Sequence, residues 1–221
     1  MGIFEILALL IFAGLVGYLI YMLRKDRKVD GVTILPDSQR GETVRSVSAM
    51  LPLSMNEAEG AVFSYSCWVL MNDFTTGYGT DRVIFSKADC PGLHIDTTSN
   101  SFLVKVKTYG TTESVLVPNI PAAKWIHFAL VVDQHAMDVY INGRLRQHHT
   151  LGQLPDQNND NVVVGGGWNG TVGRLRYYPR ALSDLEVRMQ SSEAPPADLI
   201  AKPATPNYFD MSWYVGRLNS S

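Results

Sequence analysis

A series of short strand-like segments between residues 43 and 178 constrains the fold more than any other feature of the sequence. Each segment alternates apolar and polar residues between turn residues, and successive side chains of a β-strand point to opposite faces. The pattern therefore predicts an all-β fold, a two-sheet antiparallel sandwich in which each strand turns one apolar row inward. The clearest rows are Phe63, Tyr65, Cys67 and Val69; Phe102, Val104 and Val106; and Ile126, Phe128, Leu130 and Val132.

Two local motifs refine this prediction. Asn142-Gly143 separates segments 137–141 and 144–150, and Asn-Gly readily adopts the two left-handed conformations of a type I′ turn, which predicts a hairpin. Ser183 and Glu186 have the spacing of a capping box, in which each residue caps the backbone of the other. We therefore expect a short C-terminal capping helix of about two turns after the last strand.

Six segments of the strand region share a known family pattern, in type and in order: 63–68, 84–87, 125–133, 139–143, 165–166 and 168–186. Together they resemble the LamG-like jelly roll of the concanavalin A-type lectin and glucanase superfamily. The resemblance implies one jelly-roll domain over residues 44–190. The family often carries acidic residues after the position of Asn169-Gly170, where this chain has Val172-Gly173-Arg174, so a calcium or ligand role of that loop is not carried over.

The N-terminal region contains an uncharged apolar run of 18 residues, from Ile6 to Leu23. As an α-helix this run would extend roughly 27 Å, close to the ~30 Å hydrocarbon core of a bilayer. The alternative is a cleaved signal peptide, but no Lys or Arg precedes the run and no A-x-A site follows it. We expect a transmembrane anchor with a basic flank over residues 1–28, one transmembrane helix, followed by a linker over residues 29–43.

The basic flank predicts the orientation of this anchor. Four basic residues follow the apolar run, namely Arg24, Lys25, Arg27 and Lys28. The positive-inside rule then places the C-terminal domain of a single-pass membrane protein on the cytosolic side, so the sequons at Asn169 and Asn219 should stay unmodified. The alternative is that the basic residues only stop transfer and that the domain is exported.

The carboxylates that an enzyme of this fold would need are missing from the strand pattern. Glycosidases use two carboxylates about 5–9 Å apart, and in the family these alternate along one strand. Glu57 and Glu59 have the right spacing but precede Gly60 in a polar turn. Neighbouring His148 and His149 would point to opposite strand faces and so could not bind one ion. We therefore expect a non-catalytic protein.

No resident cofactor is expected, and a net charge of −2 gives no reason to expect nucleic acid as a partner. Calcium is the alternative, because related domains often hold this ion with loop carboxylates and carbonyls. The loop candidates for a calcium site are Asp73, Asp81 and Asp156. The two cysteines, Cys67 and Cys90, are expected to be reduced and inert, since a domain of this size needs no disulfide.

Residues 191–221 are predicted to form a Pro-rich extended tail that ends in an aromatic cluster. Buried aromatic side chains dominate interface energetics, so this cluster is a candidate partner-binding arm. Its members are Tyr208, Phe209, Trp213 and Tyr214. The alternative is that the tail folds back on its own sandwich.

Two functions remain open. The first is a non-catalytic structural protein that links a lipid bilayer to protein partners in a large assembly; its architecture is similar to membrane-anchored minor structural proteins of large icosahedral DNA viruses, which lie between internal membrane and capsid. The second is a surface lectin, which requires export and would bind carbohydrate at the loop ends of the sandwich. The candidate glycan-binding residues are Tyr78, Asn100, Tyr109 and Asn158.

Overall fold

The computed structural model describes residues 2, 12–19, 31–48, 51–52, 54–57 and 60–197 of the chain, which divides into two units, Met1–Asp30 and Gly31–Ser221. In the first unit, residues 12–19 are helical (α1). The remainder of the predicted transmembrane run, and its basic flank, lie outside the described residues. Within the described part of the chain, no helix has the length and apolarity needed to cross a bilayer. Large apolar side chains of α1 are exposed: Phe12, Leu15, Val16, Tyr18 and Leu19.

The second unit is a two-sheet antiparallel sandwich, as predicted. Its elements are β1 (Val32–Arg40), β2 (Arg45–Val47), β3 (Met55–Glu57), β4 (Gly60–Met71), β5 (Arg82–Ser86), β6 (Gly92–Ile95), β7 (Phe102–Lys107), β8 (Thr112–Val117), β9 (Trp125–Asp133), β10 (Ala136–Ile141), β11 (Arg144–Thr150), β12 (Val162–Val164), β13 (Gly170–Tyr178) and α2 (Asp184–Ser191). Sheet A has the order β1-β13-β4-β9-β10-β11, with β3 also paired to β4. Sheet B has the order β2-β12-β5-β6-β7-β8.

The predicted inward rows form the core between the sheets, and every residue named in them is buried in one cluster. The predicted hairpin is confirmed as β10 and β11, and Asn142 and Gly143 have φ of 51° and 75°. Both cysteines are free and buried, as expected. Burial raises the pKa of the Cys90 thiol to about 12, so this thiol stays protonated and unreactive at neutral pH.

The predicted linker over residues 29–43 was wrong in one respect, because it contains β1. This strand pairs with β13 at the edge of sheet A, and its register shifts between Thr33 and Leu35 and again between Leu35 and Ser38. Pro36 lies inside the second irregularity, and an edge strand tolerates Pro where no ladder hydrogen bond is required. The missing amide and the broken alternation together hid the strand from the sequence pattern.

The outer face of sheet A is covered by α2 and by the residues that follow it. The Glu186 carboxylate accepts a hydrogen bond from the Ser183 amide at 2.9 Å, which confirms the predicted capping box. Val187 of the helix packs on this face in a small second cluster with Tyr140. Residues 192–197 then cross β13, where Arg174 donates to the carbonyl oxygen of Ala194 at 2.6 Å. The described beginning of the tail therefore lies on the sandwich.

The loops gather at two opposite ends of the sandwich, which we name after the buried cation at each. The Arg82 end contains loops 72–81, 96–101, 118–124 and 165–169. The Lys87 end contains loops 87–91, 108–111, 134–135 and 151–161. The core strands lie between the two ends and separate them. A ligand-binding site built from loops would therefore lie at one end or the other.

Candidate functional site

A cavity of about 170 Å³ opens at the Lys87 end, where both sheets and the loop 151–161 meet. Rings from sheet A line it on one side, and the β5–β6 turn and the amides of the long loop line it on the other. Its lining residues are Leu51, Pro52, Phe63, Tyr65, Lys87, Cys90, Gln157, Asn158, Asn159 and Tyr177. The cavity thus combines aromatic surface, side-chain amides and one cation.

Tyr65 and Tyr177 form the aromatic side of this cavity. Tyr65 stacks on Phe85, with ring centroids 5.6 Å apart, and lies 5.0 Å from the Tyr177 ring. Burial raises the pKa of Tyr65 well above its ordinary value and that of Tyr177 to about 12, so both phenols stay neutral. The Tyr177 hydroxyl donates to the carbonyl of Pro52 at 3.0 Å. The Tyr65 hydroxyl makes no hydrogen bond within the described chain.

Lys87 supplies the cation of the cavity and is only 7% exposed. Its ammonium donates to the carbonyl oxygen of Asn158 and, at 2.9 Å, to the Asn158 side-chain oxygen. The Asn158 amide in return donates to the Lys87 carbonyl at 2.8 Å. Burial lowers the pKa of Lys87, and the charge of Asp160 acts in the opposite direction. No carboxylate of the described residues lies within 4.0 Å of the ammonium.

Backbone bonds position the two loops that carry this arrangement. The β5–β6 turn is tight, with left-handed φ of 46° at Ala88 and 59° at Asp89. The Asp89 carbonyl accepts from the Lys107 amide at 2.7 Å, and the Lys107 carbonyl accepts from the Asp156 amide at 2.9 Å. Lys107 also forms an ion pair with Asp156 at 3.0 Å. The end of β7 therefore holds both loops, and this brings Asn158 against Lys87.

A wider and shallower groove of about 580 Å³ lies on the outer face of sheet B, on the opposite side of the β5–β6 turn. At its centre, His94 is buried and bonds Asp81 at 3.1 Å through Nδ1 and Asp89 at 3.0 Å through Nε2. Asp160 and Lys105 also line this groove. Since one imidazole engages both Asp81 and Asp89, these carboxylates already have a structural partner.

The structure divides the four predicted glycan-binding residues between the two ends. Asn158 lines the cavity, and Tyr109 is exposed on a neighbouring loop of the same end but outside the lining. Tyr78 and Asn100 lie at the Arg82 end, on loops joined by a bond from the Gly79 amide to the Thr97 carbonyl. The four residues therefore do not form one site.

The three calcium candidates are also separated. Asp73 caps its own turn, accepting from the Thr76 amide at 2.8 Å, and Asp156 pairs with Lys107. Asp81 lies beside His94 in the groove. Among the residues that the structure describes, no cluster of three or more His, Cys, Asp or Glu side chains is arranged to hold a metal ion. The geometry thus gives the calcium alternative no assembled site.

Other predicted site features have definite places or fall outside the described residues. The sequon residue Asn169 is half-buried, donates to Asp73 at 2.5 Å and accepts from Asn72 at 3.1 Å. His148 bonds Asp138 and His149 bonds Glu113, so the neighbouring imidazoles do point to different partners. The tail aromatics Tyr208, Phe209, Trp213 and Tyr214, like Asn219, lie outside the described residues.

Sequence comparisons place this architecture among known proteins. Residues 46–188 match the family described as the Concanavalin A-like lectin/glucanases superfamily. None of the curated proteins matches the chain.

Several solved binding domains of clostridial toxins share the fold. The binding domain of Paraclostridial Mosquitocidal Protein 1 is 19% identical with a TM-score of 0.51, over 71% of this chain and 47% of that one. The receptor binding domain of botulinum neurotoxin D is 13% identical with a TM-score of 0.56, over 75% and 46%. The binding domain of botulinum neurotoxin DC, solved in complex with rat synaptotagmin II, is 12% identical with a TM-score of 0.54, over 73% and 51%. The chain matches only about half the length of these structures, and at such identities the likeness is one of fold.

Proposed function

We propose that this chain, which belongs to the Concanavalin A-like lectin/glucanases superfamily, is a non-catalytic binding protein that holds a carbohydrate in the Lys87-end cavity. The observation that carries the proposal is the composition of the cavity wall. Sugars present apolar ring faces and many hydroxyls, and the wall offers aromatic rings beside side-chain amides, a phenol and an ammonium. Such a combination of apolar surface and a few polar groups is typical of small-molecule sites.

The absence of catalysis is supported by the charges around the cavity. Glycoside hydrolysis needs an acid and a nucleophile or base, both normally carboxylates. The described lining residues of the cavity include no Asp or Glu. In the groove, Asp81 and Asp89 each hydrogen-bond through one oxygen to the buried His94, which gives both carboxylates a structural role. We expect no hydrolysis of β-glucans or other polysaccharides.

Substitution of an amide in the cavity wall tests the binding site. Asn159 is exposed at the rim, and its side chain makes no hydrogen bond with the described residues, so Asn159→Ala should leave the fold unchanged. We expect this change to weaken carbohydrate binding about five- to tenfold, the equivalent of about 1 kcal/mol for one hydrogen bond. The measurement is glycan binding by the full chain in detergent micelles.

The matched control is Asn100→Ala, which removes an exposed amide at the opposite end of the sandwich. It should leave binding unchanged. Equal losses for the two variants, or no glycan binding by the wild-type chain, would overturn the assignment of the cavity as a carbohydrate site.

We further propose that the N-terminal segment holds the protein at a lipid bilayer. The apolar run 6–23 supports this, as do the exposed apolar side chains of α1, such as Phe12 and Leu19. A segment held by apolar burial resists both high salt and alkaline carbonate, whereas a charge-held protein is released by salt. Full-length chain should therefore remain in the membrane pellet after carbonate extraction, and its release would contradict the anchor.

A structural tether is the second candidate function. The last described residue of the tail has a defined place, because the Ser38 hydroxyl donates to the carbonyl of Ala197 at 2.9 Å on the outer face of sheet A. An aromatic arm starting there could dock on a protein lattice, including one of viral type. Trp213→Ala and Tyr208→Ala should then weaken assembly without lowering the melting temperature of the chain. A lower melting temperature with intact assembly would mean that the tail folds on its own domain.

Membrane topology discriminates between the two candidates. A carbohydrate ligand requires export of the sandwich, whereas the basic flank predicts a cytosolic one. Asn169 is a poor reporter, since its amide is already engaged by Asp73 and Asn72. Tyr109→Asn is better: it creates the sequon Asn-Gly110-Thr111 at a position that is 72% exposed. A mobility shift removed by endoglycosidase, and absent when Thr111→Ala is added, would favour the lectin; no shift would favour the tether.

A further inference from the structure

We propose that the Lys87-end cavity selects an acidic saccharide, whose carboxylate pairs with the Lys87 ammonium. This inference rests on the proposed function, because it names the class of carbohydrate that the same cavity takes. The observation behind it is a buried cation beside a cavity, with no ion-pair partner among the described residues.

The first step concerns charge. A buried ammonium is unfavourable unless a counter-charge or a full set of hydrogen bonds compensates it. Asp160 is the described carboxylate that stabilises the charge of Lys87, but it forms no ion pair with it and lines the groove rather than the cavity. The neighbouring thiol of Cys90 stays protonated and supplies no negative charge. A ligand carboxylate in the cavity would supply the missing one.

The second step concerns hydrogen bonds. An ammonium has three donors, and two of these reach the oxygens of Asn158. One donor remains for a ligand. The Tyr65 hydroxyl, which also lines the cavity and has no partner within the described chain, is a second donor. A carboxylate offers two acceptor oxygens and a negative charge, whereas a neutral sugar hydroxyl cannot neutralise the charge of the ammonium.

A purely structural role for Lys87 explains less. The loop 151–161 is already held by the Lys107–Asp156 ion pair and by the backbone bond between these residues. Asn158 also binds the Lys87 backbone through its own amide, and this bond does not need the ammonium. The fold thus uses a lysine–carboxylate pair where it fixes this loop, and it leaves Lys87 without one where the loop borders the cavity.

The size of the cavity limits what part of a ligand enters. A volume of about 170 Å³ corresponds to about five or six water molecules, which suits one sugar ring or its acidic portion. The remainder of a longer glycan would extend over the rim formed by residues 157–161, towards the groove on sheet B.

The experiment compares acidic glycans with the same glycans in amidated form. The full chain in detergent micelles is applied to an array of glycans that carry uronic or sialic acids, and to a matched array in which each carboxylate has been converted to a carboxamide. Glycans that bind are then titrated against the wild-type chain, Lys87→Met and the control Lys124→Met, an exposed lysine at the opposite end. We expect amidation to weaken binding to the wild-type chain at least tenfold, and Lys87→Met to abolish this preference.

The outcomes separate the inference from the proposed function. Equal binding of acidic and amidated glycans overturns the inference but leaves a carbohydrate site in place. A preference that persists in Lys87→Met places the charge recognition elsewhere and also overturns it. No binding on either array rejects the proposed function, and the inference with it. Because the comparison of acid with amide needs only the wild-type chain, it can still overturn the inference if Lys87→Met does not fold.

Discussion

Each end of the sandwich buries one cation, but the two ends treat it differently. Arg82 is fully buried, and its guanidinium donates to the backbone carbonyls of Phe74, Thr76 and Asp96. These bonds tie two loops of the Arg82 end together. Lys87 donates to the two oxygens of a single residue, Asn158, and borders a cavity. Arg82 is therefore bonded to two loops of the fold, with its Nε alone unpartnered among the described residues, whereas Lys87 is bonded to one residue and borders a cavity.

The difference shows how a structural cation can be distinguished from a ligand-binding one. Arg82 and Lys87 are alike in burial, and neither pairs with a carboxylate in the part of the chain that the structure describes. They differ in what their donors contact. Arg82 bonds three carbonyls from two loops, whereas Lys87 bonds one loop residue and borders a cavity. Substitution should consequently affect stability at the Arg82 end and recognition at the Lys87 end.

The largest effect is expected for Arg82→Met. Three carbonyls in partly buried hydrogen bonds would lose a charged donor, each loss costing roughly 1–3 kcal/mol. We expect a decrease of about 3–5 kcal/mol in the free energy of unfolding, measured by urea denaturation. The control is Arg146→Met on the exposed face of β11, which should change it by less than about 0.5 kcal/mol. A loss below about 1 kcal/mol at Arg82 would remove the basis of the comparison.

His127 is another buried basic residue, and it differs from Arg82 and Lys87 because, among the described residues, its side chain neither bonds backbone carbonyls nor borders a cavity. It is 2% exposed, packs against Trp68 and has no partner at Nδ1. Burial, helped by the charge of Arg176, lowers its pKa to about 4 from an ordinary 6.5, so the ring is neutral in the folded state. Unfolding lets it bind a proton below pH 6.5, and stability therefore falls as the pH drops from 6.5 to 4.

The lowered pKa of His127 corresponds to a loss of about 3 kcal/mol in the free energy of unfolding between pH 6.5 and pH 4. His127→Phe keeps a ring against Trp68 and removes the titration. The free energy of unfolding of this variant should decline less than that of the wild type between pH 7 and pH 4. Parallel curves for the two proteins would contradict the neutral state of His127.

Much of the fold could be predicted from the sequence because its signals are local. Alternation places the inward row of β9, Asn142-Gly143 makes the β10–β11 turn, and the capping box starts α2. The strand β1 was missed because Pro36 interrupts its alternation, and its pairing with β13 depends on a segment far along the chain. Ser64, on the outer face of β4, is buried, and its hydroxyl donates to the Arg180 carbonyl in the loop before α2, a contact that alternation along β4 could not predict.

The candidate site was harder to predict, because it too depends on contacts between segments that are far apart in the sequence. Asn158 was singled out as an amide on a loop, but Lys87 was not, since a lysine after an apolar strand usually extends into solvent. Its burial depends on a residue 71 positions away. Tyr65 belongs to a predicted inward row, Tyr177 joins it in the core of the structure, and only the gap between the sheets turns both into a cavity wall. The sequence signal that remained was a lysine directly following the buried row of β5.

Acid should also lower the stability of the Arg82 end by protonating Asp73, an effect smaller than that of His127. Burial disfavours the charged form of Asp73, but bonds from Thr76, Asn169 and Thr75 outweigh this and lower its pKa to about 2. A carboxylate with a lowered pKa contributes stability above its ordinary value of 3.8, and this stability is lost as the pH falls towards 2. Asp73→Asn should therefore reduce the melting temperature at pH 6 and have less effect at pH 2.5. An equal reduction at both pH values would show that the charge of Asp73 is not involved.

The smallest effect on stability, and the most informative, is expected for Lys87→Met. Methionine has nearly the length of the lysine stem, so the packing beside Tyr65 and Cys90 is retained while the charge is removed. Replacing a buried cation with an apolar side chain of similar volume is often neutral. The variant loses the hydrogen bonds of the cation, but it also avoids the free-energy cost of desolvating a charge. Asn158 is half-exposed, so water can replace the ammonium as a hydrogen-bond donor to it. We expect the free energy of unfolding to change by less than about 1 kcal/mol, measured under the same conditions as for Arg82→Met. A loss as large as that of Arg82→Met would make Lys87 a second structural cation, and the contrast between the two ends would then carry no argument for a ligand.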